Sequence, residues 1–126
     1  MAITRINPKA LGGEPAAYTN GMLTDSNTLY ISGQIGIDAQ GVASPDFEAQ
    51  TRQTWANIET ILKEAGMTLK DIVKTTIFLV DRADYPTFVK VRTEILDGHK
   101  PASTLVYVSG LVKPEWKVEI DVIASR

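Results

Sequence analysis

The chain has 126 residues, 44% of them hydrophobic and 22% charged, which fits one globular domain able to bury roughly two-thirds of the surface its unfolded form exposes. Cysteine is absent and His99 is the single histidine, so disulfides, thiolate zinc sites and a histidine-cluster metal centre are excluded. A formal net charge of −2 without a Lys/Arg cluster argues against nucleic-acid binding, and no apolar run approaches the roughly 18–20 residues of a membrane span.

The N-terminal MAITRINPKA lacks the apolar core of a secretory signal. The expectation is a cytoplasmic protein with no cofactor or metal, forming one domain over 1–126. Residues 28–32 (TLYIS) alternate polar and apolar with β-branched and aromatic content, predicting a strand that closes into Gly33 and Gly36. Ser44 before Pro45 reads as a helix N-cap with proline at the first helical position, and Asp46 and Glu48 suit the positive end of the helix dipole. Trp55, Ile58, Ile61, Leu62 and Ala65 recur at helical spacing until Gly66, predicting an amphipathic helix of about five turns. Residues 71–80 (DIVKTTIFLV) read as a strand. Asp84 then caps a second helix, with Pro86 in its first turn, Phe88, Val91 and Ile95 on one stripe, and Gly98 as terminator. Two strands follow, at about 103–108 and 117–124. This order indicates an α/β (α+β) domain with one sheet and two helices packed on one face.

In the last strand Val118, Ile120, Val122 and Ala124 point to one face, and Lys117, Glu119 and Asp121 to the other. The face without helices is either solvated, as antiparallel sheets often are, or an oligomer interface. Composition leaves both open.

A resemblance to a known family runs across nearly the whole chain. TLYISGQIGID at 28–38, DFEAQTRQTWANIETILKEAGMTLKDIVKTTIFLVD at 46–81 and KVEIDVIA at 117–124 are similar, in order and spacing, to the recurring blocks of the RidA family of imine and enamine deaminases, also called YjgF/YER057c/UK114 or L-PSP. The resemblance implies a chorismate-mutase-like fold with a single mixed sheet, a homotrimer whose sheets face one another, and small-molecule clefts between adjacent subunits. It also implies site residues: Glu119 matches the glutamate that positions the hydrolytic water, Tyr18 a tyrosine lining the cleft, and Ser32 and Gly33 a turn whose backbone approaches the ligand. The chain departs from the pattern in KPASTLVYVSG, where Ser103 stands in place of the arginine that clamps the substrate carboxylate. Val89 replaces a helix asparagine, Leu105 takes a position that is often cysteine, and the loop GHKPAS is short. These departures imply a more apolar, less cationic cleft and a deaminase of atypical substrate. The alternative is a trimer that binds a small molecule, or acts as a chaperone, without chemistry. The endoribonuclease activity once attached to the family is disfavoured, because a metal-free ribonuclease relies on histidine acid–base chemistry and this chain has one histidine.

The residues by themselves admit plainer roles. Glu119 suits a surface strand, Tyr18 a packing position after Gly12-Gly13-Glu14-Pro15, and Gly33 and Gly36 a bulge or close approach. Ser103 has no evident base to make it a nucleophile. Glu119 and Asp121, two apart and about 7 Å by strand geometry, have a dyad-like spacing, but Lys117 on the same face argues for charge balance instead. His99, beside Gly98 and Lys100, reads as a solvated residue at a helix C-terminus.

Overall fold

The computed structural model of the protein describes residues 3–126. Eight elements follow in chain order: β1 (Thr4–Ile6), β2 (Gly21–Leu23), β3 (Thr28–Ile35), α1 (Phe47–Glu64), β4 (Ile72–Leu79), α2 (Tyr85–Leu96), β5 (Ala102–Tyr107) and β6 (Val118–Ser125). They form one mixed sheet in the order β1-β2-β3-β6-β4-β5, in which only β4 and β5 run parallel. Helix α2 is the crossover that parallel pairing demands. The last strand in sequence, β6, therefore lies inside the sheet, hydrogen-bonded to β3 on one side and β4 on the other.

Both helices cover one face, as the alternation in β6 predicts: Val118, Ile120, Val122 and Ala124 are buried, while Glu119 and Asp121 lie half-buried on the open face. Trp55, Ile58, Ile61 and Leu62 of α1 and Phe88 and Val91 of α2 press onto Leu29, Ile31, Ile77 and Leu79 of the sheet. Each such fully buried side chain contributes about 1.5–3 kcal/mol of transfer free energy.

Several boundaries differ from expectation. Asp46, not Ser44, caps α1: its Oδ2 accepts from the Ala49 N–H at 2.9 Å, while the Ser44 hydroxyl accepts from the Asp46 N–H and so shapes the preceding turn. Pro45 lies outside the helix. Asp84 makes no side-chain capping bond; Asp81 caps instead, at Ala83 N–H, and its short 3-10 turn runs directly into α2. Asp97 enters the left-handed region (φ 45°) ahead of Gly98, so α2 stops one residue earlier than its glycine suggests. Strand β3 does not end at Gly33 but passes through it to Ile35, with a register shift between Ile31 and Gln34. The antiparallel pair β1–β2 adds two strands not expected from the sequence.

Candidate functional site

On the open face Glu119 sits between two apolar cross-strand neighbours, Ile35 of β3 and Phe78 of β4. Burial among them, and secondarily the charge of Asp121, raise its carboxyl above the ordinary value near 4.5. Gly33 occupies the bulge, where a Cβ would stand 2.8 Å from Cδ of Glu119 and closer still to Oε2. The carboxylate thus rests on bare backbone, and any side chain at 33 would dislodge it. Lys117 does not balance this charge. It precedes β6, and its Nζ reaches the Pro45 carbonyl at 3.4 Å.

Polar side chains fix the surroundings of Glu119. The Ser32 hydroxyl donates to the Thr19 carbonyl at 2.6 Å, and the Ser32 N–H to the Asn20 carbonyl at 2.8 Å. Its role is to hold the segment carrying Tyr18, which is 58% exposed and borders, with Gly33, Trp116 and Asn57, a hollow of about 140 Å³. Asn57 of α1 donates to the carbonyls of Ile35 and Ile37 at 3.1 and 2.9 Å, bracing the end of β3. Gln50, two helical turns earlier on the same side, donates to the Ser44 and Glu115 carbonyls and accepts from the Lys117 N–H, so the loop entering β6 is tied to α1 and the register of Glu119 is set. Asn57 and Gln50 are buried amides that sequence reasoning missed. Their signal was present: two amides seven residues apart, on the side of the helix that carries its apolar stripe.

Ser103 lies elsewhere. On β5 it pairs with Thr75 of β4, whose hydroxyl hydrogen-bonds to the Ser103 hydroxyl at 3.1 Å, and Leu105 pairs with Ile77 in the same row, on the helix-covered side. Leu105 is half-buried and packs against the core. Between the last turn of α2 and the start of β5 opens a cavity of about 310 Å³, bounded by Ser103, Thr75, Arg92, Leu96, His99 and Lys100. Val89 lies one turn before Arg92 on α2. His99 is not solvated: it is half-buried, with Nε2 2.7 Å from the Ile72 carbonyl, which requires a proton on that nitrogen.

The structure therefore gathers Tyr18, Ser32, Gly33 and Glu119 at one locus and leaves Ser103 at another, with Leu105 two residues further along β5 and Val89 on α2 one turn before Arg92. Glu119 and Ser103 face opposite sides of the sheet with β4 between them, roughly 10 Å apart along the pairing direction alone. No group of three or more His, Asp or Glu among the described residues is arranged to hold a metal ion. No helix among them is long and apolar enough to cross a membrane.

Comparison with known proteins agrees with this architecture. The family profile described as endoribonuclease L-PSP matches residues 10–126. A RutC family protein of Pyrococcus horikoshii is 38% identical over all of this chain and 97% of its own. Among solved structures, the Rid family protein YyfA of Yersinia pestis superposes with a TM-score of 0.92 at 35% identity, covering 99% of this chain and 100% of that one. TdcF of E. coli, solved with bound serine, gives 0.90 at 31% identity, covering 98% of each chain. Matched along nearly its whole length by the profile and by relatives well above 30% identity, the chain belongs to the RidA family, also known as the YjgF or L-PSP family.

Proposed function

We propose that the protein is a hydrolytic deaminase of small imines or enamines, acting in clefts between the subunits of a homotrimer, as one cofactor-free domain in the cytoplasm. The observation that carries this reading is the division of the candidate residues between two faces of one sheet. A cleft using both Glu119 and the Ser103 cavity must take one from each of two neighbouring copies. The open face offers the means of association, since Val106 beside Phe78, and Tyr30 beside Ile123 further along the sheet, lie on it with no helix to cover them.

Imine hydrolysis adds water to the C=N carbon, forming a carbinolamine that collapses to a carbonyl and ammonia. One group must take a proton from the water and return one to the nitrogen. A carboxyl whose pKa is raised toward the working pH suits that exchange. In this reading Glu119 orients the water, Tyr18 and the backbone at Ser32 and Gly33 shape the cleft, and Ser103, Val89 and Leu105 line the side facing the substrate's substituent. Ser103 brings no charge, so the substrate is not held by an α-carboxylate at that position. That same loss favours a second reading, a trimer that binds a small molecule without turning it over; the relative TdcF has been solved with bound serine. Ribonuclease action fits poorly. The one histidine is tied to a backbone carbonyl, and no other imidazole exists to pair with it.

Ammonia release from imines generated in situ from several amino acids and neutral amines separates the two readings. Release that Glu119→Gln removes supports the enzyme. Saturable binding without any release supports the second reading.

A further inference from the structure

We infer that Arg92 supplies the cation missing from position 103, so that the cavity between α2 and β5 receives a ligand whose carboxylate lies on a side chain rather than on the imine carbon. This rests on the cleft reading above, and it names a substrate class for it.

The electrostatics of the cavity point one way. Arg92, Lys100 and His99 line it, and no Asp or Glu does. Among the described residues no carboxylate lies within salt-bridge reach of Arg92, unlike Arg52, which holds both Glu48 and Glu94 at 3.0 Å. Its guanidinium instead lies over the Phe88 ring, 5.4 Å from the centroid. That contact holds the planar fork in place while leaving its N–H groups available. The C-terminal end of a helix ordinarily repels anions through its exposed carbonyls. Here the Thr93 carbonyl accepts from the Asp97 N–H and the Leu96 carbonyl from the His99 N–H, so two of those dipoles are already engaged. Glu94, the nearest acid along the helix, is neutralised by Arg52.

The remaining wall fits an aliphatic chain. Leu96 and Pro101 contribute apolar surface, and the Thr75 hydroxyl donates to the Ser103 oxygen, so one of the two hydroxyl protons is already engaged. A volume of about 310 Å³ is at the lower end of small-ligand sites. Because Arg92 projects from the helix side and Ser103 from the strand side, a carboxylate gripped by Arg92 is offset from the place where an arginine at 103 would hold one. A substrate with its acid directly on the imine carbon is too short for both demands, and one with its acid further along a chain satisfies them.

His99 provides the readout, since the chain's single histidine gives unique imidazole signals in NMR spectra and lines the cavity itself. The native protein is titrated with pentanoate and, separately, with the uncharged isostere pentanamide. The expected result is saturable movement of the His99 signals with pentanoate only. Affinity should weaken about tenfold or more in Arg92→Gln and much less in Lys100→Gln, whose charge is solvated. Unchanged melting temperature and backbone amide spectra establish that Arg92→Gln is folded. Equal binding of the amide, unchanged affinity in Arg92→Gln, or no movement of His99 each overturns the assignment. Arg92-dependent pentanoate binding without Glu119-dependent ammonia release leaves this inference standing and removes the deaminase. Glu119-dependent release with pentanoate affinity unchanged in Arg92→Gln does the reverse.

Discussion

Replacing Gly33 and Gly36 by alanine, one at a time, separates the chemistry from the fold. At Gly33 the new methyl would stand 2.8 Å from Cδ of Glu119, against the 3.4 Å at which ordinary contact begins. The carboxyl carbon must retreat by roughly 0.6 Å, and the oxygen, which starts closer, by about an ångström. What moves is the far end of a flexible side chain facing the open side of the sheet, so the cost is small. It is further offset by about 0.4–1 kcal/mol from the narrower unfolded ensemble of alanine. At Gly36 the methyl would stand 2.8 Å from the Cα and carbonyl carbon of Gln50 and closer still to its oxygen. These are backbone atoms of α1, and α1 cannot shift without breaking the Gln50 and Asn57 hydrogen bonds and the core beneath. Overpacking of this kind costs about 3 kcal/mol or more, roughly 10 °C in Tm for a domain of this length. Gly33→Ala should therefore melt within about 4 °C of wild type, yet lose about a hundredfold in kcat/KM, the usual penalty for misplacing a catalytic group by an ångström. Scanning fluorimetry and initial rates of ammonia release measure the two quantities. Wild-type rates in Gly33→Ala would show that the seat of Glu119 has no bearing on turnover, and a melting loss equal to that of Gly36→Ala would make Gly33 a packing glycine.

Light scattering at micromolar concentration should give about three times the 13.8 kDa chain mass, and a monomer would remove the intersubunit cleft. Ser103→Arg should raise hydrolysis of 2-aminoacrylate-type imines by one to two decades, from a charge-assisted contact worth about 1.5–3 kcal/mol, with no gain counting against the clamp. Glu119 binds its proton more tightly folded than unfolded, so its contribution to stability falls as pH rises from about 4.5 through its raised folded value. Glu119→Gln should thus be more stable than wild type near pH 8, with the gap closing toward pH 4; a mutant less stable at pH 8 contradicts the sign.

Much of the fold was legible because its signals are local and periodic. The stripe Trp55, Ile58, Ile61, Leu62 and the alternation Val118 to Ala124 each report one buried face, and the structure buries both sets. Three-residue strands such as Thr4–Ile6 and Gly21–Leu23 carry no period; Gly21–Leu23 exists because Leu29 to Ile31 of β3 offer an edge to pair with, and Thr4–Ile6 because Gly21–Leu23 then offers the next. Helix starts went wrong where several capping residues crowd together, as in Ser44, Pro45 and Asp46: the residue types permit each start, and only the turn geometry selects among them. The contact of Glu119 with Gly33 was beyond reach, since it joins residues 86 apart in sequence through strand pairing. His99 was misread because the acceptor that draws it inward is a backbone carbonyl, which no side-chain pattern announces.

The division of the sheet also bears on the departures from the family pattern expected from the sequence. Tyr18, Ser32, Gly33 and Glu119, the positions at which the sequence reading finds the family's site pattern kept, all belong to the locus around the β3 bulge. Ser103, Val89 and Leu105, at which it finds the pattern lost, all belong to β5 and α2. Substitution in one group leaves the other undisturbed, because β4 and the core separate them and they share no hydrogen bond. In the proposed cleft, a half-site for water and proton transfer joined to a half-site for the substrate's substituent would let the second change without rebuilding the first. Arg92 belongs to the changed half, on the same helix as Val89 and in the same cavity as Ser103. If Arg92 takes the role inferred for it above, serine at 103 and arginine at 92 are parts of a single alteration in what the proposed cleft accepts.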